Sequence, residues 1–232
     1  MSKPASSFKH LDVVAAFFVS ILVISNIASS AKIVDVGITL FSIPLAFDGG
    51  TLLFPFVYVL GDVLTEVYGF RTARRVILTG FAVMVLAALV FFVLGILPPE
   101  AGWEETTGGN AVFNAILGGM SCGGIVLASL AAYLAGELSN SLVLSKLKVI
   151  MKGRLLWVRT IGSTLVGELL DSLIFILIAT AAGVFPWEIF WSLVITNYIL
   201  KCAIEALVTP FTYWLSGFLK RKEGIDVYDD KI

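Results

Sequence analysis

The chain has 232 residues, 58% of them hydrophobic and only 14% charged, with a formal net charge of −1 and a mean hydropathy of +0.97. A soluble domain carries roughly 25% charged residues, so these figures exclude an ordinary soluble enzyme and a basic nucleic-acid-binding module. They point to an all-α polytopic membrane protein. The one histidine, His10, precedes the first apolar run, which argues against a histidine-based metal or catalytic centre. Cys122 and Cys202 sit in apolar stretches and read as packing residues with no disulfide between them.

A helix needs about 20 apolar residues to cross a bilayer. Six runs qualify in chain order: 11–31, 50–69, 76–97, 117–144, 156–183 and 187–219. The first starts and ends like a signal peptide, but Asp12 and Ser25-Asn26 argue against cleavage. Residues 32–49 mix β-branched residues with Gly37 and Pro44, which predicts an extended or hairpin-like connection. Pro98-Pro99 stops the third run, and 100–110 reads as a polar loop. Thr209-Pro210 predicts a kink or a break in the last run. The organisation is thus an N-terminal tail (1–10), one six-helix domain (11–219) and a loose polar C-terminal tail (220–232).

Lysine and arginine placement predicts orientation. Lys3, Lys9, Arg71, Arg74, Arg75, Lys146, Lys148, Lys152, Arg154 and the basic residues after position 219 share one side, against Lys32 alone on the other. Both termini are therefore expected in the cytoplasm.

Ionisable residues inside a span face a cavity or each other and are functional candidates by default. The second run carries Asp62 and Glu66, four residues apart on one helical face. Carboxylates near a helix C-terminus oppose its macrodipole, so helix stability does not explain them. Further along come Glu137 with Asn140, Arg159, Glu168 with Asp171, and the stripe Asn197, Lys201 and Glu205. The first run offers Asn26. Every run except 76–97 presents polar residues, so five helices are expected around one interior, with 76–97 facing lipid. At about 1.5 Å per residue, Glu168 and Asn197 fall near the midplane. So many acids against Lys201 and Arg159 imply a bound cation or proton, or protonated carboxyls.

Structural alternatives stand beside these readings. Glu66 could pair with Arg74 or Arg75, Glu137 with Lys146 or Arg159, and Lys201 with Glu205 along its own helix. Asn26 and Asn197 could be interhelical hydrogen-bond glue, and Tyr58, Phe54 and Phe56 simple packing. Gly61-Asp62 approaches an intramembrane aspartyl protease motif, but Val59 stands where that motif wants glycine. No HExxH, GxSxG or nucleotide-binding glycine loop is present, so neither an enzyme nor a cofactor is expected.

Four segments carry a family resemblance: FPFVYVLGDVLTEVYGFRTARRVI (54–77), LAAYLAGELSNSLVLSKLK (130–148), LWVRTIGSTLVGELLDSLIF (156–175) and NYILKCAIEALVTPFTY (197–213). Together they closely resemble the bacterial queuosine precursor transporter family, long described as a vitamin-uptake family. The resemblance implies a six-helix inner-membrane importer of 7-cyano-7-deazaguanine, 7-aminomethyl-7-deazaguanine or queuine, serving salvage for tRNA modification. It also implies a size and helix count similar to the substrate-binding subunits of energy-coupling-factor importers. The alternative reading is therefore a binding subunit that works only with a coupling ATPase module; a homo-oligomer stays open. A deazaguanine presents ring N–H and amino donors side by side, which a carboxylate accepts bidentately. Glu168 is expected in that role, with Asp171 or Asp62 next, Asn197 or Asn26 at the ring carbonyl, Lys201 nearby and Tyr58 stacked on the base. Glu66, Arg74, Arg75, Glu137, Arg159 and Glu205 are expected to form gates or ion pairs.

Overall fold

The computed structural model describes residues 8–40, 43–121, 124–183 and 186–229. Lys3, Cys122 and Lys231, used in the sequence reading, lie outside them. Eight helices and one hairpin follow in order among the described residues: α1 (Leu11–Ala31), β1 (Ile33–Leu40), β2 (Ile43–Asp48), α2 (Phe54–Tyr68), α3 (Phe70–Ile96), α4 (Ala101–Thr107), α5 (Gly109–Ser121), α6 (Gly124–Ile150), α7 (Leu156–Ala181) and α8 (Phe190–Glu223). Five of them, α1, α3, α6, α7 and α8, are long and apolar enough to cross a membrane. The chain is a multi-pass, predominantly helical membrane protein.

The remaining expected span is different in kind. α2 has 15 residues, about 22 Å at the α-helical rise, less than the roughly 30 Å of a hydrocarbon core. Residues 61–70 are buried without interruption, so the C-terminal half of this helix is enclosed by protein, as an element at the centre of a bundle must be, while Phe56 near its start is 44% exposed. Phe18, Leu22, Val57, Val63, Leu64 and Ile77, all at most 1% exposed, form the core between α1, α2 and α3.

Three local expectations change and a fourth is met. The helix expected from 117 already begins at Gly109, the start of α5, and α6 runs on to Ile150, past the expected end at 144. The polar stretch after Pro99 holds α4, because the Glu100 carboxylate caps it by accepting from the Trp103 N–H at 2.7 Å. The N–H groups of Gly102 and Trp103 hold that carboxyl below its ordinary range. α8 continues through Pro210 without a break, although the missing N–H takes the helical donor from the Ala206 carbonyl; Thr209 Oγ1 donates to the neighbouring Glu205 carbonyl at 2.9 Å. The hairpin-like connection expected between the first two runs is present, β1 and β2 pairing antiparallel with Ile33 opposite Asp48 and Leu40 opposite Ile43, and with an irregularity between Asp35 and Thr39.

The C-terminal segment, as far as residue 229, is tied to the bundle. The Glu223 carboxylate accepts from the backbone N–H groups of Lys9 (2.8 Å) and His10 (2.7 Å), and from Tyr68 Oη (3.2 Å), tying the start of α1 to the end of α8. Asp229 accepts from the Phe70 N–H at 2.7 Å and from Ser145 Oγ at 2.7 Å, so the tail supplies the anion that the N-terminus of α3 favours. α2 and α3 meet at Gly69, whose φ of 83° few other residues adopt; a Cβ there would also lie 2.8 Å from Val227 Cγ1.

α6 and α7 form the closest helix pair. A Cβ on Gly136 would sit 2.8 Å from Asp171 Cβ, and one on Gly167 would sit 2.8 Å from Asn140 Cβ. Small residues at a crossing let two membrane helices approach, and here the approach brings Asp171 and Asn140 to the interior.

Candidate functional site: a polar cavity above a buried ion-pair cluster

A cavity of about 520 Å³ lies among the helices, lined from α1, α2, α3, α5, α6, α7 and α8. Its size is ordinary for a small-molecule site. Leu22, Val57, Met84, Phe175 and Ile176 give it apolar walls. Asn26, Tyr58, Asp171, Asn197 and Lys201 reach it, as the sequence anticipates, and so does Glu137. α3 contributes Met84 and Ala88, so the helix expected to face only lipid has one face on the cavity. Its other face, with Leu86, Leu89 and Phe92 exposed, is the lipid side.

Glu168 and Asp62 are not on the wall. Glu168 stands behind Lys201, whose Nζ lies 3.3 Å from Glu168 Oε2 and pairs closely with Asp171 Oδ2. The anticipated bridge from Lys201 to Glu205 is thus replaced by two pairs across to α7; the α7–α8 packing places those acids nearer than the next turn of α8. Tyr58 lies beside the Glu168 carboxyl. Asn26 Nδ2 donates to its own helix at Leu22 O (2.8 Å), while Ser129 Oγ donates to its Oδ1 at 3.4 Å. Asn197 Nδ2 donates to Leu193 O at 3.0 Å, an intrahelical bond instead of interhelical glue.

Glu137 is the unusual wall residue. It is 2% exposed, and neither carboxylate oxygen has a hydrogen-bond partner among the described residues. The expected pairs with Lys146 or Arg159 do not form, because Arg159 is committed elsewhere. Deeper, Asp62 Oδ1 accepts from Asn140 Nδ2 at 2.8 Å. Glu205 accepts from Thr164 Oγ1 through one oxygen, and its other oxygen is unpartnered among the described residues.

At the end of the bundle that carries both termini the charges are compensated. The Arg159 guanidinium grips the Glu66 carboxylate with both terminal nitrogens, Nη2 at 3.1 Å from Oε1 and Nη1 on Oε2. Lys220 Nζ adds a contact at 2.6 Å and Lys148 Nζ one at 3.7 Å. Arg74 and Arg75, the expected partners of Glu66, are exposed instead: they lie beyond the Gly69 corner on α3, turned away from the buried carboxylate. Lys148, 2% exposed, spends its three protons on Glu66 O (2.6 Å), Asp226 Oδ1 (2.6 Å) and Val227 O (2.7 Å). Burial alone would raise the Asp226 carboxyl, but hydrogen bonds from Lys148 and Lys220 outweigh it and hold it below its ordinary value.

The sequence reading missed Lys148 and Lys220 as partners of Glu66, and missed Asp226 and Asp229 altogether. A signal existed for Lys148, since Glu137, Ser141, Ser145 and Lys148 recur at helical spacing on one face of α6.

A largely apolar cavity with a few polar residues, set among helices long enough to cross a membrane, suits a small-molecule membrane transporter. Residues 48–215 match the family described as "Putative vitamin uptake transporter", and the chain belongs to that family. It is 28% identical to the queuosine precursor transporter of Escherichia coli (strain K12) over 89% of each chain. It is 29% identical to a relative in Bacillus subtilis (strain 168) over 71% of this chain and 69% of that one, and 30% identical to one in Haemophilus influenzae over 68% and 63%. Both are named as probable queuosine precursor transporters. These names are those of the family anticipated from the four segments, and they denote transporters, not enzymes. No solved structure matches.

Proposed function

We propose that the protein imports queuosine precursors, 7-deazaguanine bases destined for tRNA modification, across a bacterial inner membrane through the cavity between α1, α2, α3, α5, α6, α7 and α8. The observation that carries this reading is the unpartnered Glu137 carboxylate on the wall of a cavity otherwise furnished with amides, aromatic rings and apolar side chains. A buried carboxylate lacking donors is completed by a ligand that brings adjacent N–H groups, and the guanine-like edge does so. Glu137 thereby takes the role that the sequence reading gives to Glu168. Asn26 and Asn197 read the remaining polar edge, Tyr58 and Phe54 flank the ring, and Lys201 with Asp171 responds to a substrate's charge. Glu168 and Asp62 support from behind the wall.

The basic end with both termini faces the cytoplasm, in keeping with the charge bias, and α2 with the five long helices makes up the expected six. In this orientation the Glu66 cluster, with Arg159, Lys148 and Lys220, closes the cytoplasmic exit, and Glu205 lies between exit and cavity. Purified protein in liposomes is expected to take up labelled 7-cyano- or 7-aminomethyl-7-deazaguanine with no other protein present. Uptake only after adding an ATPase module would instead establish the binding-subunit reading, and no binding of any deazaguanine would reject the assignment.

A further inference from the structure

Asp62 and Glu205 belong neither to the cavity wall nor to the Glu66 cluster. They are 1% and 6% exposed. Among the described residues no lysine or arginine lies within ion-pair distance of either, although seven ion pairs occur nearby. Their hydrogen-bond donors are neutral, the Asn140 amide for Asp62 and the Thr164 hydroxyl for Glu205. The second Glu205 oxygen and both Glu137 oxygens are buried and unpartnered. Charged and titratable groups face the two acids from the packed helices: Glu66 from α2, Glu137 from α6, Arg159 and Glu168 from α7, and Cys202 from α8, with Lys201 beside Cys202. Acids outnumber bases in this set, and Arg159 and Lys201 are already bound to Glu66 and to Asp171 with Glu168.

Uncompensated charges buried in a low-dielectric interior repel strongly and cost several kcal/mol each to desolvate. A positive charge must therefore accompany these carboxylates. Glu205 offers one hydroxyl-bonded oxygen and one free oxygen, which suits a proton on the free oxygen; a metal cation would need several oxygen ligands converging. We infer that Asp62 and Glu205 form a proton-binding site between the cavity and the ion-pair cluster, and that its proton moves with the substrate. The proton is taken from water on the side to which the cavity opens and released to water on the other, with no change at the substrate. This coupling rests on the transport reading above; the proton site itself does not.

Infrared spectroscopy on the protein in lipid, without substrate, reads the site directly. Wild type is expected to show a carboxylic-acid C=O band that shifts in D2O and fades as pH rises, with intensity lost in Asp62→Asn and in Glu205→Gln. Absence of such a band in wild type, or its persistence undiminished in both variants, overturns the site. In proteoliposomes, an imposed inward proton gradient is expected to drive accumulation of labelled 7-aminomethyl-7-deazaguanine. Glu205→Gln should retain gradient-free exchange of labelled for unlabelled substrate while losing accumulation. Accumulation that ignores the proton gradient and follows a sodium gradient overturns the coupling. If wild type neither exchanges nor accumulates, the transport reading fails, and the infrared result still decides the proton site.

Discussion

Two groups of buried acids lie in succession in this bundle, and they are treated in opposite ways. Glu66 is held by Arg159, Lys220 and Lys148, and Lys148 and Lys220 are shared with Asp226 of the C-terminal segment. One turn earlier on α2, Asp62 has an amide, while on α8 Glu205 has a hydroxyl and on α6 Glu137 has no hydrogen-bond partner among the described residues. The first arrangement resists change, because separating any member strands a charge in a dry interior. The second invites an occupant. A transporter needs both, a closure that holds and a site whose charge state can alter, and under the proposed function the contrast separates residues of the exit from those of the cargo path.

The sharpest way to break the comparison is to remove the guanidinium. Arg159→Met is expected to destabilise the protein by about 3–5 kcal/mol, the usual cost of leaving a buried partner uncompensated, read as a large fall in thermal midpoint in detergent. A change indistinguishable from that of an exposed Arg74→Met control would mean that Glu66 is not held as described. On the cavity side, Glu137→Gln should leave the thermal midpoint nearly unchanged but weaken deazaguanine binding by about 1.5–3 kcal/mol, the worth of a hydrogen bond to a charged group. Unaltered affinity in a titration would return the acceptor role to Asp171 or Glu168.

Gly167→Ala tests whether the α6–α7 crossing sets the cavity. Its Cβ would lie 2.8 Å from Asn140 Cβ and 3.0 Å from Gly136 O, so overpacking should cost about 1–3 kcal/mol and reduce binding with it. Gly217→Ala, which meets nothing within 4 Å, is the matched control. The smallest effects belong to the docked tail. Asp229→Ala removes the anion at the start of α3, worth about 1 kcal/mol, and should speed proteolysis after Glu223. The Asp226 contact should weaken with acid: a carboxyl held below its ordinary value stabilises fully above the unfolded value, about 3.9, and that contribution is lost as pH falls through the folded one. Because Asp226 is 43% exposed in its side chain, the shift should be slight, and Asp226→Asn should abolish the acid dependence of tail cleavage.

Much of this protein could be read in one dimension. Membrane class, the long helices and the residues worth watching follow from local hydropathy and from charges placed where apolar side chains are otherwise required; Asn26, Tyr58, Asp171, Asn197 and Lys201 all reach the cavity. The turn at Gly69 was less visible, and its geometry explains why Arg74 and Arg75 were mistaken for the partners of Glu66. Nearness in sequence is a poor guide across a corner.

What only the tertiary structure decided is which acid meets which base. Glu66 finds Arg159 at a separation of 93 residues and Lys220 at 154, distances over which periodicity carries no register. The same holds for Glu137, whose isolation depends on Arg159 being occupied and on how closely Gly136 and Gly167 let α6 and α7 approach. Hydropathy is a property of each segment by itself, whereas charge compensation depends on helix crossings. The sequence therefore determined that this chain buries acids in a membrane, and the packing of its helices decided which of them are left open.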